Sequence, residues 1–259
     1  MLGAIAGDII GSVYEFNPIN QKDFPLFQKG SKFTDDSVLT VAVAQAIIHN
    51  KDYKARVRKI GQKYPNSGYG SNFINWLFSD DPQPYNSWGN GSAMRVSPVG
   101  FAFDDQETIL REARKTALFS HNHREGIKGA QATAFAIYLA RQDESKQSIK
   151  EKIEERFDYN LDRKLTEIRP VYSFDVSCQG TVPEAIISFL EADSWEDSVR
   201  NAVSLGGDAD TLACITGGIA EAFYGPIKKE FRQNVKSILS EELWEIAWKF
   251  YEQYCINKD

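Results

Sequence analysis

Along most of the chain the apolar residues return every three or four positions, the period of a helix with one face turned inward. In "DDSVLTVAVAQAIIHN" (35–50), Val38, Val41, Ala42, Gln45 and Ala46 fall on that spacing, and Asn50 follows as an end signal. "ETILREARKTALF" (107–119) sets Ile109, Ala113, Thr116 and Ala117 on one face, and the alanine-rich "GIKGAQATAFAIYLARQ" (126–142) reads as a buried helix. In "SIKEKIEERFDYNLDRKL" (148–165), Ile149, Ile153 and Phe157 make a narrow apolar stripe on a charged background, which predicts a surface helix. "VPEAIISFLEA" (182–192), "WEDSVRNAVSL" (195–205), "DTLACITGGIAEAFYG" (210–225) and "SEELWEIAWKFYEQY" (240–254) complete the set; the third stops at Gly225-Pro226. The alternation that marks strands is scarce: "RPVYSFDVS" (169–177) is the best candidate and it is short. The pattern predicts an all-α fold with long loops at 17–33, 64–72, 79–92 and 158–180, and no internal repeat.

Composition narrows the function classes. The chain has 259 residues, enough to bury a full core in one or two domains, and a net charge of −6 argues against bulk nucleic acid as a partner. No apolar run approaches the roughly 20 residues of a membrane span. The start "MLGAIAGDIIGSVYEF" lacks a basic leader and meets Asp8 early, so a cytoplasmic location is expected. Cys178, Cys214 and Cys255 are widely spaced without a CxxC pair, which predicts free thiols and no zinc site.

Two helix starts carry unusual chemistry. Thr34, Asp35 and Asp36 stand before one apolar run; Gly206, Gly207, Asp208, Asp210 and Thr211 stand before or at the start of another. Capping and the helix dipole account for acidic or hydroxyl residues at any single start. A cap does not use two aspartates and a threonine, however, and here that happens twice. If the two ends face each other, four carboxylates converge and their repulsion calls for protons or cations. Oxygen ligands of this kind suit Mg²⁺ or Mn²⁺. The loops "SGYGSN" (67–72) and "NSWGNGSAMR" (86–95) are rich in residues whose backbone turns sharply and presents N–H groups to an anion.

These blocks carry a resemblance. "GAIAGDIIGSVYEF", "KFTDDS", "GNGSAMRVSPVG", "SHNHREGIKGAQATA" and "SLGGDADTLACITGGIAEAFYG" resemble, in order, the blocks of the ADP-ribosylglycohydrolase family, over residues 3 to 225. The resemblance implies a single compact domain over 1–259, built of orthogonally packed helices, with two Mg²⁺ or Mn²⁺ ions at the bottom of a cleft. It implies Thr34, Asp35, Asp36, Asp208, Asp210 and Thr211 as metal ligands, with Asp210 bridging the ions. Ala209 departs from relatives that carry Thr or Ser there, at a position outside the ligand set.

The same resemblance assigns the rest of the cleft. Glu15, together with Asp36, is expected at the scissile bond; by itself Glu15 reads as a surface residue near a helix end. Ser87, Trp88, Gly89 and Asn90 match a loop that cradles the diphosphate of ADP-ribose, Gly68, Tyr69 and Gly70 a loop near the distal ribose, and His121 a position near phosphate or ribose. Asp8 either supports the site or faces solvent, and Arg95 either serves phosphate or pins its loop. His123 is expected to be structural, His49 to meet the end of its helix, and Cys178 to lie in a loop on the adenine side. The implied activity is metal-dependent hydrolysis of the bond between ADP-ribose and a protein side chain, of arginine or serine type, or a small conjugate. A monomer is expected. The alternatives are a non-catalytic ADP-ribose-binding or immunity-type protein, which the intact acidic set disfavours, and a phosphohydrolase acting on the diphosphate.

Overall fold

The computed structural model describes residues 1–49 and 52–256, and its regular elements are helices. The first half gives α1 (Leu2–Gly11), α2 (Asp35–Ile48), α3 (Tyr53–Gly61), α4 (Ser71–Phe78), α5 (Gly91–Met94), α6 (Ser97–Ala102), α7 (Gln106–Leu118) and α8 (Arg124–Arg141). The second half gives α9 (Lys146–Phe157), α10 (Leu165–Ile168), α11 (Cys178–Leu190), α12 (Trp195–Val203), α13 (Ala209–Tyr224), α14 (Lys229–Ile238) and α15 (Glu241–Tyr251). Short polar side chains set many of the starts. Thr34, Asp105, Ser145, Ser177, Ser194 and Ser240 each accept a backbone N–H of the first turn, a bond that contributes about 1 kcal/mol per helix.

Helix α1 and helix α13 form the centre. All ten residues of α1 are buried, as is α13 from Ala209 to Glu221. The reason is a stripe of small residues at four-residue spacing on each. A Cβ added to Gly3, Gly7 or Gly11 would lie 2.5 Å from Gly217 O, 2.0 Å from Ala213 O and 2.4 Å from Ala209 O, respectively. Only glycine lets the two backbones approach so closely. Helices α2, α8, α11 and α12 pack around this pair.

Several sequence expectations are corrected in detail. The strand candidate 169–177 is irregular: Val171 and Phe174 point into solvent, and only Ser177 makes a single bridge, to Gly89. Helix α11 starts at Cys178, four residues before the predicted start, because Ser177 caps it and Pro183 is tolerated inside. Cys178 is therefore a buried helical residue, bonded to Gly89 O, and not a loop residue. The surface helix ends at Phe157 because Asp158 takes a left-handed conformation. Helices α3, α4, α5, α6, α10 and α14 were not read from the pattern; α4 takes the end of the loop expected at 64–72, and α10 lies inside the one expected at 158–180. The end signal Asn50 lies outside the described residues, whereas His49 closes α2 with its N–H on Gln45 O.

Candidate active site

The first acidic tip is built on α1. Asp8, fully buried, faces the N-terminus of α2 and accepts from Thr34 N at 3.0 Å, Thr34 Oγ1 at 2.7 Å, Ser37 N at 3.0 Å and the Ser37 hydroxyl. Its alternative placement, in solvent, is excluded. Burial pushes its carboxyl up, those four bonds pull it back, and it settles at about 6. Thr34 in turn accepts Asp36 N–H at 3.3 Å, so Asp36 enters the helix facing inward while Asp35 keeps some open surface.

The second tip is built by a turn. Gly206 and Gly207 have φ of 77° and 68°, left-handed values open to glycine, and they deliver Asp208 as the N-cap of α13. Asp208 makes no cap bond of its own; Asn90 Nδ2 holds its Oδ2 at 2.7 Å. Because α1 and α13 run backbone against backbone, the turn after Gly11 carries Glu15 to the same place. Glu15 thus lies beyond the helix end and lines the cleft, half-buried, where by itself it reads in the sequence as a surface residue.

The two tips meet. Thr211 Oγ1 donates to Asp36 Oδ2 at 3.3 Å, and carboxylate oxygens of Glu15, Asp208 and Asp210 all lie within 4.8 Å of one another. Among the described residues no lysine or arginine forms an ion pair with any of these acids, and Asp36 Oδ1 is buried without a hydrogen-bond partner. Their protonation responds accordingly. Burial first, then Asp8, Asp35 and Asp208, pushes Asp36 well above the carboxylate range. Burial, then Asp208 and Asp36, does the same to Asp210; burial, then Asp8 and Asp208, to Asp35. Glu15 is pushed up to about 7 by burial and by Asp208. An orphaned carboxylate oxygen beside an all-oxygen cluster that forms no ion pair is what a hard divalent cation satisfies. The acidic cluster could hold a metal.

Glu15, Asp35, Asp36, Asp208 and Asp210 line a cleft of about 570 Å³. Gly68, Gly70, Ser87, Trp88, Gly89, Asn90 and His121 line it as well, so most of the sequence-predicted residues come together. Thr34 and Tyr69 do not reach its surface: Thr34 faces Asp8, and Tyr69 donates to Gly61 O at 3.3 Å and packs on Phe73. Trp88 is 47% exposed, an uncovered aromatic face at the rim. The cleft is also lined by exposed Phe16 and Phe174, stacked at 6.4 Å, which the sequence reading missed; exposed aromatics have no periodic signature. Arg95 pins its loop, donating to Thr116 O and Ser120 Oγ, and also lines the cleft. His123 is structural: its Nδ1 caps α8 by accepting Glu125 N–H.

A family model described as ADP-ribosylglycohydrolase matches residues 1–258. The chain belongs to the ADP-ribosylglycohydrolase family. That membership makes it a hydrolase. The ADP-ribosylhydrolase ARH3 of Gallus gallus is 24% identical over 340 residues, covering 98% of this chain and 92% of its own. The ADP-ribosylhydrolase ARH3 of Homo sapiens is 24% identical over 310 residues, covering 87% and 84%. A solved structure titled ADP-ribosylglycohydrolase-related protein complex superposes with a TM-score of 0.70 at 23% identity, over 97% of this chain and 96% of that one, and shows the shared all-α fold. Among the described residues no helix is long and apolar enough to cross a membrane.

Proposed function

We propose that this family member hydrolyses the glycosidic bond joining the ribose C1 of ADP-ribose to a protein side chain, of arginine or serine type, or to a small conjugate. It does so as one domain, a cytoplasmic monomer, with two Mg²⁺ or Mn²⁺ ions. The observation that carries this reading is the meeting of two acidic helix tips in one cleft that is also lined by glycines, Asn90 and His121. The relatives named ADP-ribosylhydrolase support the substrate class. Thr34, Asp35, Asp36, Asp208, Asp210 and Thr211 would hold the ions, Thr34 through its backbone or by turning its hydroxyl from Asp8. Divalent ions bound there would supply positive charge for ribose hydroxyls and for a reacting water.

The chain's own residues do the rest. Glu15, at about 7, exchanges a proton near neutrality, which suits a general acid or base at the scissile bond, with Asp36 beside it. Ser87, Gly89 and Asn90 offer hydroxyl, backbone and amide donors to a diphosphate. Trp88 supplies an aromatic wall, and Gly68 and Gly70 let backbone approach the distal ribose, with Tyr69 anchoring that loop. The complete acidic set favours turnover over a binding-only role.

The test is release of free ADP-ribose from ADP-ribosyl-arginine, ADP-ribosyl-serine, O-acetyl-ADP-ribose and a nucleobase conjugate, with EDTA and with Mg²⁺ or Mn²⁺ added back. At least one conjugate is hydrolysed, EDTA stops it, and Asp210→Ala slows it by about a thousandfold or more. Release that survives EDTA overturns the metal reading, and no release from any conjugate overturns the enzyme reading for these substrates.

A further inference from the structure

Arg95 is a buried cation without a carboxylate partner. Its side chain is fully buried, and burial lowers it to about 10. Nε and Nη2 donate to Thr116 O at 3.2 and 2.6 Å, Nη2 also reaches Ser120 Oγ at 2.9 Å, and the guanidinium lies 4.7 Å from the Phe119 ring centroid. Holding a charge this way is costly, so what it does to its neighbours matters. Ser120 Oγ stands 2.8 Å from His121 Nδ1.

Hydrogen-bond accounting then fixes the imidazole. A guanidinium only donates, so the Ser120 oxygen accepts from Arg95. The Ser120 hydroxyl is buried and must place its own proton; His121 Nδ1 is the acceptor within reach. Burial and the Arg95 charge both hold His121 well below its usual range, so the ring is neutral. With Nδ1 accepting, the ring's one N–H sits on Nε2. Nε2 faces the turn of the cleft loop: a Cβ added to Gly91 would lie 3.0 Å from it, and one added to Gly89 3.7 Å. No group among the described residues accepts from Nε2.

We propose that Arg95 and Ser120 are positioning residues that lock His121 as its Nε2–H tautomer, so that it presents one hydrogen-bond donor to an anionic substrate oxygen held at the Gly89–Gly91 turn. The lock stands on the protein alone; naming the anion as the diphosphate of ADP-ribose rests on the function proposed above. A neutral donor of fixed direction reads an anion's position without adding a charge that must be stripped of water.

Nitrogen-15 NMR of the histidine rings tests both parts. The chain has three histidines, so a His121→Asn spectrum assigns His121, and His49 and His123 report whether a variant is folded. Wild-type protein shows a proton on Nε2 and a bare Nδ1. Ser120→Ala moves the His121 signals toward mixed tautomers with the other two unmoved, Ser120→Thr restores them, and Arg95→Lys gives a partial shift. With the cleaved conjugate as substrate, Ser120→Ala raises KM about fivefold and leaves kcat within about twofold, the worth of one mispresented hydrogen bond. A proton on Nδ1 in the wild type, or Ser120→Ala signals identical to wild type, overturns the lock. A lock that persists while added ADP-ribose leaves His121 unmoved overturns the donor role and counts against the diphosphate assignment.

Discussion

At the first acidic tip, the buried carboxylate of Asp8 gathers Thr34 and Ser37 by backbone and side chain together, so the start of α2 is fixed before anything binds. At the second, Asp208 begins α13 without a cap bond and is tied to the rest of the cleft by the Asn90 amide. The tips look equivalent in sequence, a hydroxyl and two aspartates each. Their supports differ. The first is anchored inside the protein core, by a residue on the central helix; the second is anchored across the cleft, by a residue of the loop expected to hold the substrate. The first tip is therefore preorganised, whereas the second is coupled to the loop.

The largest break in this comparison is Asp8→Ala. It leaves two backbone N–H groups and two hydroxyls at the first tip without their acceptor, while relieving repulsion on Asp35 and Asp36. The hydrogen-bond loss outweighs the relief, and urea unfolding is expected to show a loss of about 3 kcal/mol. A loss below about 1 kcal/mol would mean the first tip does not depend on Asp8. Asn90→Ala acts more mildly on stability, about 1 kcal/mol, but weakens Mn²⁺ binding measured by calorimetry about tenfold, as loss of a ligand's supporting bond does. Unchanged affinity would show the second tip to be as self-supporting as the first.

A further effect concerns both tips at once. Carboxyls raised in the folded state bind protons more tightly there than in the unfolded chain, so their contribution to stability is largest at low pH and is lost as pH rises through the raised values. With Asp8 at about 6, Glu15 at about 7 and Asp35, Asp36 and Asp210 also raised, the protein in EDTA melts a few degrees higher at about pH 6 than at about pH 8. Saturating Mn²⁺ flattens that dependence. A melting temperature in EDTA that rises with pH over this window contradicts the electrostatics described for both tips.

Much of this was legible in the sequence, and the reasons for the rest are physical. The helical period and the two acidic starts were visible because capping and amphipathicity act between residues a few positions apart. The meeting of those starts was not, since it depends on Gly3, Gly7 and Gly11 lying against Ala209, Ala213 and Gly217. That stripe was present as a four-residue repeat of glycine and could have been read as a close helix contact. Asp8 and Arg95 were ambiguous because a charged residue gives no local sign of being buried; their partners, Thr34 and Ser37 for one and Thr116 and Ser120 for the other, are more than 20 residues away. Short helices such as α5 and α10 lack room for a period and escape pattern reading altogether.

Anomalous diffraction from crystals grown with Mn²⁺ tests the central claim most directly. The account predicts two peaks in the cleft, between Asp35 and Asp36 on one side and Asp208 and Asp210 on the other. Absence of any peak there at saturating Mn²⁺, with the carboxylates well ordered, would contradict it.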